Sequence, residues 1–222
     1  MELKNKLYKN IGIHVITALF TVEKGITKVL LIRRTNEPYK GCWSLPSGAM
    51  YNNELIKVAA LRELKEKTGI ELDDLSPFRT FDALDRSPLQ RMIGVGYIGI
   101  IDNKRVEVLK STNKTSNADW FSLDNIPTLA YDHNEILNYA IEKLKEKIIT
   151  TDILKSFFPN GFTLPELQDV YESILNIKID RRNFRKKMLS VVIDTGKEIK
   201  YLGRKKAKVY KFDYRKKDIS IF

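Results

Sequence analysis

The stretch Gly48–Ile70, GAMYNNELIKVAALRELKEKTGI, constrains the fold of this chain more than any other. A glycine opens it and Glu54 follows after five residues. Arg62-Glu63 come after seven more, and Glu66 and Gly69-Ile70 close it. Nothing between Asn53 and Lys67 breaks a helix, and Leu55, Val58, Ala59, Leu61 and Leu64 are predicted to face a core. Gly69 sits where a helix C-terminus belongs. Residues three and four apart share a helix face, so Glu63, Glu66 and Lys67 point together. Carboxylates on one face, entered by a glycine loop, suit Mg²⁺ carrying a diphosphate. An ordinary amphipathic helix would explain a Glu63–Lys67 pair, but not Gly48, Glu54 and Gly69 at these offsets.

The spacing resembles the Nudix box: Gly, five residues, Glu, seven residues, Arg-Glu-aliphatic-x-Glu-Glu-x-Gly-aliphatic. Gly48, Glu54, Arg62, Glu63, Leu64, Glu66, Gly69 and Ile70 match it, whereas Lys67 stands where the family has a second consecutive Glu. A metal site there loses one ligand and gains a positive charge. Mg²⁺ at Glu63 and Glu66 is therefore expected to be weak or absent, no cofactor is expected to be required, and no catalytic residue is assigned. The fold and the pocket are expected to be kept.

The 222 residues, 43% of them hydrophobic, suffice for one good-sized core and a small second domain. Charge is uneven. Residues 151–222 hold 17 Lys and Arg against 9 Asp and Glu, while residues 1–150 hold 22 against 19. The basic excess of the last third points to a polyanionic partner. One cysteine, Cys42, excludes an internal disulfide and a Cys-based zinc site. Two histidines are too few for a His-rich metal site, and His14, in an apolar run, reads as a core residue. With no signal peptide and no 18-residue apolar run, a cytoplasmic protein without a membrane partner is expected.

Residues 1–10 read as an irregular lead-in. Strands are predicted over Ile11–Phe20 and Lys28–Ile32, joined by Glu23-Lys24-Gly25, and a short one over Trp43–Leu45. Strands follow over Phe78–Leu84 and Arg91–Ile101, then a polar crossing over Lys104–Lys110 with an alternating core. Asp119–Ile126 reads as strand and turn, and Asp132–Lys147 as a helix with Asp132 as N-cap. Arg86 and Arg91 bracket a turn near the carboxylate helix, and guanidinium forks there suit phosphate. A pair of surface arginines is the plain alternative.

From residue 150 the chain changes character. A short helix over Asp152–Phe158 precedes Thr163-Leu164-Pro165-Glu166, which reads as a capping box. A helix to about Leu175, a second one over Arg181–Ser190 capped by Asp180, and a hairpin of Val191–Tyr201 with Ala207–Phe212 complete a winged helix-turn-helix. Phe184, Met188 and Leu189 are expected to anchor the second helix. Arg181, Arg182, Asn183, Arg185 and Lys186 would then face a DNA groove, and the wing residues Arg204, Lys205, Lys206 and Lys208 would face phosphates.

A degenerate Nudix box followed by a basic winged helix resembles the Nudix-related transcriptional regulators, the NrtR family. DRSPLQRMIGVGY is similar to that family's Asp-Arg-x-Pro turn and strand, and FTLPELQDVYESIL with DRRNFRKKM to its C-terminal domain. The resemblance implies an α+β chain: a Nudix α/β/α sandwich with a mixed sheet over residues 1–149 and a winged helix-turn-helix over 150–222. It implies a homodimer that binds a double-stranded DNA operator and senses ADP-ribose, a related NAD metabolite or a sugar. Carried over by position, Arg34, Arg62, Glu63, Glu66, Arg86, Arg91 and Tyr97 would line the ligand site. The second function open to this sequence is an active Nudix hydrolase cleaving ADP-ribose or a similar nucleoside diphosphate derivative. Glu54, Glu63 and Glu66 would then hold Mg²⁺, with Asp82 or Asp85 as base.

Overall fold

A computed structural model describes residues 11–102, 104, 106–149, 152–200, 206–213 and 215. The lead-in over residues 1–10 and the wing residues Arg204 and Lys205 lie outside these. Strands β1 (Gly12–Glu23) and β2 (Ile26–Arg34) form the expected hairpin, each longer than its apolar run. They lie at the centre of a seven-stranded sheet of order β3–β2–β1–β6–β5, with β4 on β1 and β7 on β2. Every residue of β1 from Val15 to Val22 is buried, which requires cover on both faces.

β3 (Trp43–Ser44) leads to β4 (Ser47–Ala49). The segment read as a glycine loop is thus a strand, antiparallel to β1 with Val15 opposite Gly48. Helix α1 (Ile56–Thr68) starts three residues later than predicted. The delay has a local cause: the Glu54 carboxylate accepts the Tyr51 N–H at 2.7 Å and closes a turn ahead of the helix. Leu55 and Val58, predicted to be core, are 75% and 48% exposed, whereas Ala59 and Leu64 are buried as predicted, with Ala60 beside them. Gly69 ends the helix in the left-handed conformation and donates to the Lys65 carbonyl, as expected.

β5 (Ser76–Phe81) and β6 (Met92–Ile100) pair antiparallel. Residues 106–110, within the stretch read as a crossing with an alternating core, form a loop. β7 (Thr115–Ser122) starts four residues before the predicted strand, and α2 (His133–Ile149) follows. Among the described residues no helix is long and apolar enough to cross a membrane.

The C-terminal part runs α3 (Asp152–Phe157), β8 (Phe162–Thr163), α4 (Leu164–Leu175), α5 (Arg181–Leu189), β9 (Val192–Lys200) and β10 (Lys206–Phe212). The capping box forms in full: Thr163 Oγ1 accepts the Glu166 N–H and the Glu166 carboxylate accepts the Thr163 N–H, both at 3.2 Å. Asp180 caps α5 through the Asn183 N–H at 2.9 Å. β8, too short to carry a sequence pattern, pairs with β10 at the edge of the wing sheet β8–β10–β9. α4 buries Leu167, Val170, Tyr171 and Ile174, and the Tyr171 hydroxyl donates to the Ile148 carbonyl at 3.1 Å.

Over the described residues the chain divides into two compact units. The first holds residues up to Leu19, Val29–Gly99 and Val106–Ile141, and the second holds Phe20–Lys28, Ile100–Arg105 and everything from Glu142 on. This division does not follow the chain as a cut at 149/150 does. The tip of the β1–β2 hairpin belongs with α4, where the Thr27 and Ser173 hydroxyls are 2.6 Å apart.

Two imidazoles lie in the first unit, His133 buried and His14 half-buried. His133, at the start of α2, accepts the Leu45 N–H on Nδ1 at 3.1 Å, so that nitrogen carries no proton. Burial, with Arg86 nearby, lowers its pKa from 6.5 to about 3, and burial with Arg86 and Lys67 lowers that of His14 to about 4. Both groups bind protons more weakly folded than unfolded. Their contribution to stability is complete above pH 6.5 and is lost as pH falls below it, by up to about 1.4 kcal/mol per pH unit for each imidazole. Urea unfolding between pH 7.5 and 5 should show this slope, and His14→Gln combined with His133→Gln should flatten it whatever the absolute stability. Thr163→Ala should lower the urea midpoint at unchanged slope, by an amount equivalent to about 1 kcal/mol.

Candidate functional site

A cavity of about 230 Å³ opens over the polar face of α1. β2 and the residues after it supply Ile32, Arg34, Thr35 and Asn36, β4 supplies Gly48 and Ala49, α1 supplies Glu63 and Lys67, and Lys114 enters from the turn before β7. Gly48 is required by close approach: a Cβ there would collide with the Glu63 carboxylate. Thr35 Oγ1 donates to the Lys114 carbonyl at 3.0 Å and Thr115 Oγ1 to the Lys67 carbonyl at 2.7 Å, which fixes the turn carrying Lys114.

The charges of α1 are matched one against another. Arg62 is the hub. Its guanidinium grips Glu54 through two bonds of 2.6 and 2.9 Å, donates to Glu63 at 2.6 Å, to Glu66 at 3.3 Å and to the Ala49 carbonyl at 3.0 Å. It also stacks 3.9 Å from the Tyr51 ring centroid. This grip holds the Glu54 carboxyl down at about 2. Lys114 Nζ lies 2.5 Å from Glu66 and 3.7 Å from Glu63, bridging the two. The Lys114 bond lowers the Glu66 pKa, with the Arg62 charge adding to it. Burial pulls the Lys114 pKa down, but its bond to Glu66 and the adjacent carboxylates outweigh this and raise it. Lys67 donates to the Ser47 carbonyl and lies 3.5 Å from Glu63 Oε2. Burial lowers the Lys67 pKa, and the Glu63 charge only partly opposes it. Glu63 Oε2 is itself fully buried with no hydrogen-bond partner, so the Lys67 ammonium is its closest charge compensation.

The structure brings together Arg34, Gly48, Glu54, Arg62, Glu63, Glu66 and Lys67, and separates others from them. Arg34 lines the cavity while donating to the Pro38 carbonyl at 2.9 Å and the Tyr131 hydroxyl at 3.1 Å. Arg62, predicted to line the ligand site, does not line the cavity and is saturated by its own carboxylates, so it positions them and does not reach for a ligand. Arg86, predicted as a phosphate clamp, is 8% exposed and makes a two-pronged pair with Asp132 at 2.9 and 3.1 Å. The Asp132 carboxylate, predicted to cap α2, is occupied by that pair. Arg91 donates to the Ala83 carbonyl at 2.7 Å and does not line the cavity. Tyr97, predicted to touch ligand, is a sheet residue 5% exposed, opposite Pro77. Asp82 and Asp85 are exposed and line no part of the cavity. Lys114 was not predicted. It stands in a Ser/Thr/Asn-rich run without periodicity, and only the folding of that run onto α1 brings it to the carboxylates.

The second surface is α5. Phe184 and Met188 are buried, while Arg181, Arg182, Asn183, Arg185 and Lys186 are all exposed, as expected. Leu189, predicted as an anchor, is 44% exposed because α5 ends there and Val191 turns into β9. On the wing Lys206 and Lys208 are exposed, Lys208 pairing with Asp194 at 2.8 Å.

Comparison with known proteins divides the chain in sequence order, unlike the two compact units. Residues 12–143 match the NUDIX domain family and residues 154–212 match the NrtR DNA-binding winged helix domain. The ADPR responsive transcriptional repressor NtrR of Acinetobacter baylyi is 32% identical over 200 residues, covering 88% of this chain and 79% of that protein. The crystal structure of Shewanella oneidensis NrtR complexed with a 27mer DNA superposes with a TM-score of 0.76 at 28% identity, over 90% of this chain and 93% of that one. The NUDIX domain of the same protein complexed with ADP ribose superposes with a TM-score of 0.59 at 26% identity, over 64% of this chain and 94% of that one. The ADP-ribose pyrophosphatase of Methanocaldococcus jannaschii is 33% identical over 135 residues, 60% of this chain and 75% of that enzyme. A Nudix domain with its α1 carboxylates gripped by cations, joined to a basic winged helix and similar along most of its length to a repressor, places this chain in the NrtR family of Nudix-related transcriptional regulators.

Proposed function

We propose that this protein is a DNA-binding transcriptional repressor that senses ADP-ribose or a closely related NAD metabolite in its Nudix pocket. It acts in the cytoplasm as a homodimer on a double-stranded operator. The observation that carries this reading is the pairing of two anion-binding surfaces in one chain: a cavity walled by Arg34, Lys67 and Lys114, and the exposed basic face of α5. A repressor responsive to ADPR, whose likeness covers 88% of this chain, supports this reading. The likeness to the ADP-ribose pyrophosphatase covers 60% of this chain.

Chemistry favours sensing over turnover. Cleaving a diphosphate needs a Lewis acid on the phosphoryl oxygens and an activated water. Here the carboxylates that would hold such an ion are hydrogen-bonded to Arg62 and Lys114. Bound ADP-ribose is therefore retained, and incubation with the full chain should release neither AMP nor ribose 5-phosphate. A ligand alters repression only through different affinities for the DNA-competent and DNA-incompetent forms. Operator binding and ADP-ribose binding must then shift each other by one common factor.

The test is fluorescence anisotropy with a promoter duplex at physiological salt. The full chain should bind it more tightly than a random duplex of equal length, and ADP-ribose should change that affinity. Arg182→Ala and Arg185→Ala should each weaken operator binding by about tenfold. Equal affinity for promoter and random duplexes would sink the proposal.

A further inference from the structure

The Nudix fold carries an expectation of Mg²⁺, and the residues present do not fit it. Mg²⁺ takes near-octahedral oxygen ligands at about 2.0–2.1 Å and tolerates no ammonium among them. Three carboxylates face this site, Glu54, Glu63 and Glu66, and three side-chain cations, Arg62, Lys67 and Lys114, already neutralise them. Glu63 and Glu66, the two carboxylates that would hold a metal, lie 3.7 and 2.5 Å from the Lys114 ammonium. Among the described residues no three His, Cys, Asp or Glu side chains are grouped to hold an ion.

We infer that Lys67 and Lys114 replace the divalent cation, and that the pocket binds a diphosphate through these two ammonium groups without metal. The inference rests on the sensor reading for the identity of the ligand, but not for the chemistry of the site. Lys114 is suited to the part. Its side chain is 40% exposed, its backbone is pinned by Thr35, and its ammonium points at the cavity while resting on Glu66. An ammonium has three donors, so a phosphate oxygen can be added without removing the carboxylate. Lys67 is the buried member of the pair, its side chain 13% exposed. The orphaned Glu63 Oε2 beside it marks a place where the ionic network has slack. A positive charge added at Lys67 by substitution for a carboxylate thus does two things: it removes a metal ligand and supplies a phosphate ligand.

Calorimetry on the full chain tests this with three probes: ADP-ribose, inorganic pyrophosphate and MgCl2 alone. ADP-ribose should bind in EDTA as tightly as in Mg²⁺, to within about twofold, and pyrophosphate should bind in EDTA. MgCl2 alone should give no saturable heat. Lys114→Ala should weaken both anions in EDTA by about tenfold or more, as expected for a lost charge-assisted bond, with the melting curve confirming a folded chain. The double variant Lys67→Glu, Lys114→Ala should gain a saturable Mg²⁺ site and make ADP-ribose binding Mg²⁺-dependent. Binding of ADP-ribose by the unaltered chain only with Mg²⁺, or an unchanged affinity in Lys114→Ala, would overturn the inference. Pyrophosphate binding in EDTA, lost in Lys114→Ala, without any ADP-ribose binding would keep the inference and remove ADP-ribose as effector. Failure of both anions in EDTA would overturn the inference outright.

Discussion

Arg62 is the interaction on which the first unit depends. One guanidinium joins three carboxylates, a backbone carbonyl of β4 and the face of Tyr51. Without it, Glu54, Glu63 and Glu66 would repel one another within a few ångströms, at a cost that grows as the dielectric falls. With it, the irregular segment between β4 and α1 is drawn onto the helix, and Glu63 is pressed against Gly48. That contact leaves no room for a side chain at Gly48, which is why the glycine of the motif and the arginine fourteen residues on belong to one device. The short β4, opposite Val15 and His14, then holds the wall of the cavity against the central hairpin.

The same scaffold serves either catalysis or sensing according to how its carboxylates are compensated. Left to Arg62 alone, the three would keep a net negative charge that attracts a divalent ion. Lys67 and Lys114 cancel that charge with side chains that cannot exchange with solvent ions. The exchange has a structural cost, seen in Glu63 Oε2, buried without a hydrogen bond. A buried acceptor of this kind costs about 1–3 kcal/mol if nothing compensates it, and the nearby ammonium of Lys67 offsets part of that.

Most of the architecture was legible because its signals are local. The capping box at Thr163 and Glu166, the Asp180 cap, the glycine stop at Gly69 and the hairpin turn at Lys24-Gly25 each act within a few residues, and each stands where the pattern placed it. What failed depends on contacts between distant segments. Leu55 and Val58 fit a helical stripe, but the turn closed by Glu54 starts the helix late and leaves both outside. Arg86 resembles a phosphate clamp until Asp132, 46 residues away, takes both prongs of its guanidinium. Lys114 reaches the site only through pairing of its turn with Thr35 and Lys67, which no periodicity encodes. The assignment of the hairpin tip to the unit containing α4 is likewise a property of packing and not of composition.

The cavity and the basic face of α5 differ in how they meet ionic strength. α5 presents its arginines to open solvent, where binding of duplex DNA releases condensed counterions and weakens steeply with added salt. The cavity holds its charges close together: Glu63 is 6% exposed at its side chain and Lys67 13%, while Lys114 is 40% exposed. Pairs in such surroundings are screened far less than exposed ones. Salt therefore acts more steeply on contacts to the exposed arginines of α5 than on the buried Glu63–Lys67 pair. The coupling between effector and operator has to be measured at fixed salt, because a shift in operator affinity produced by counterions would otherwise pass for a response to ligand.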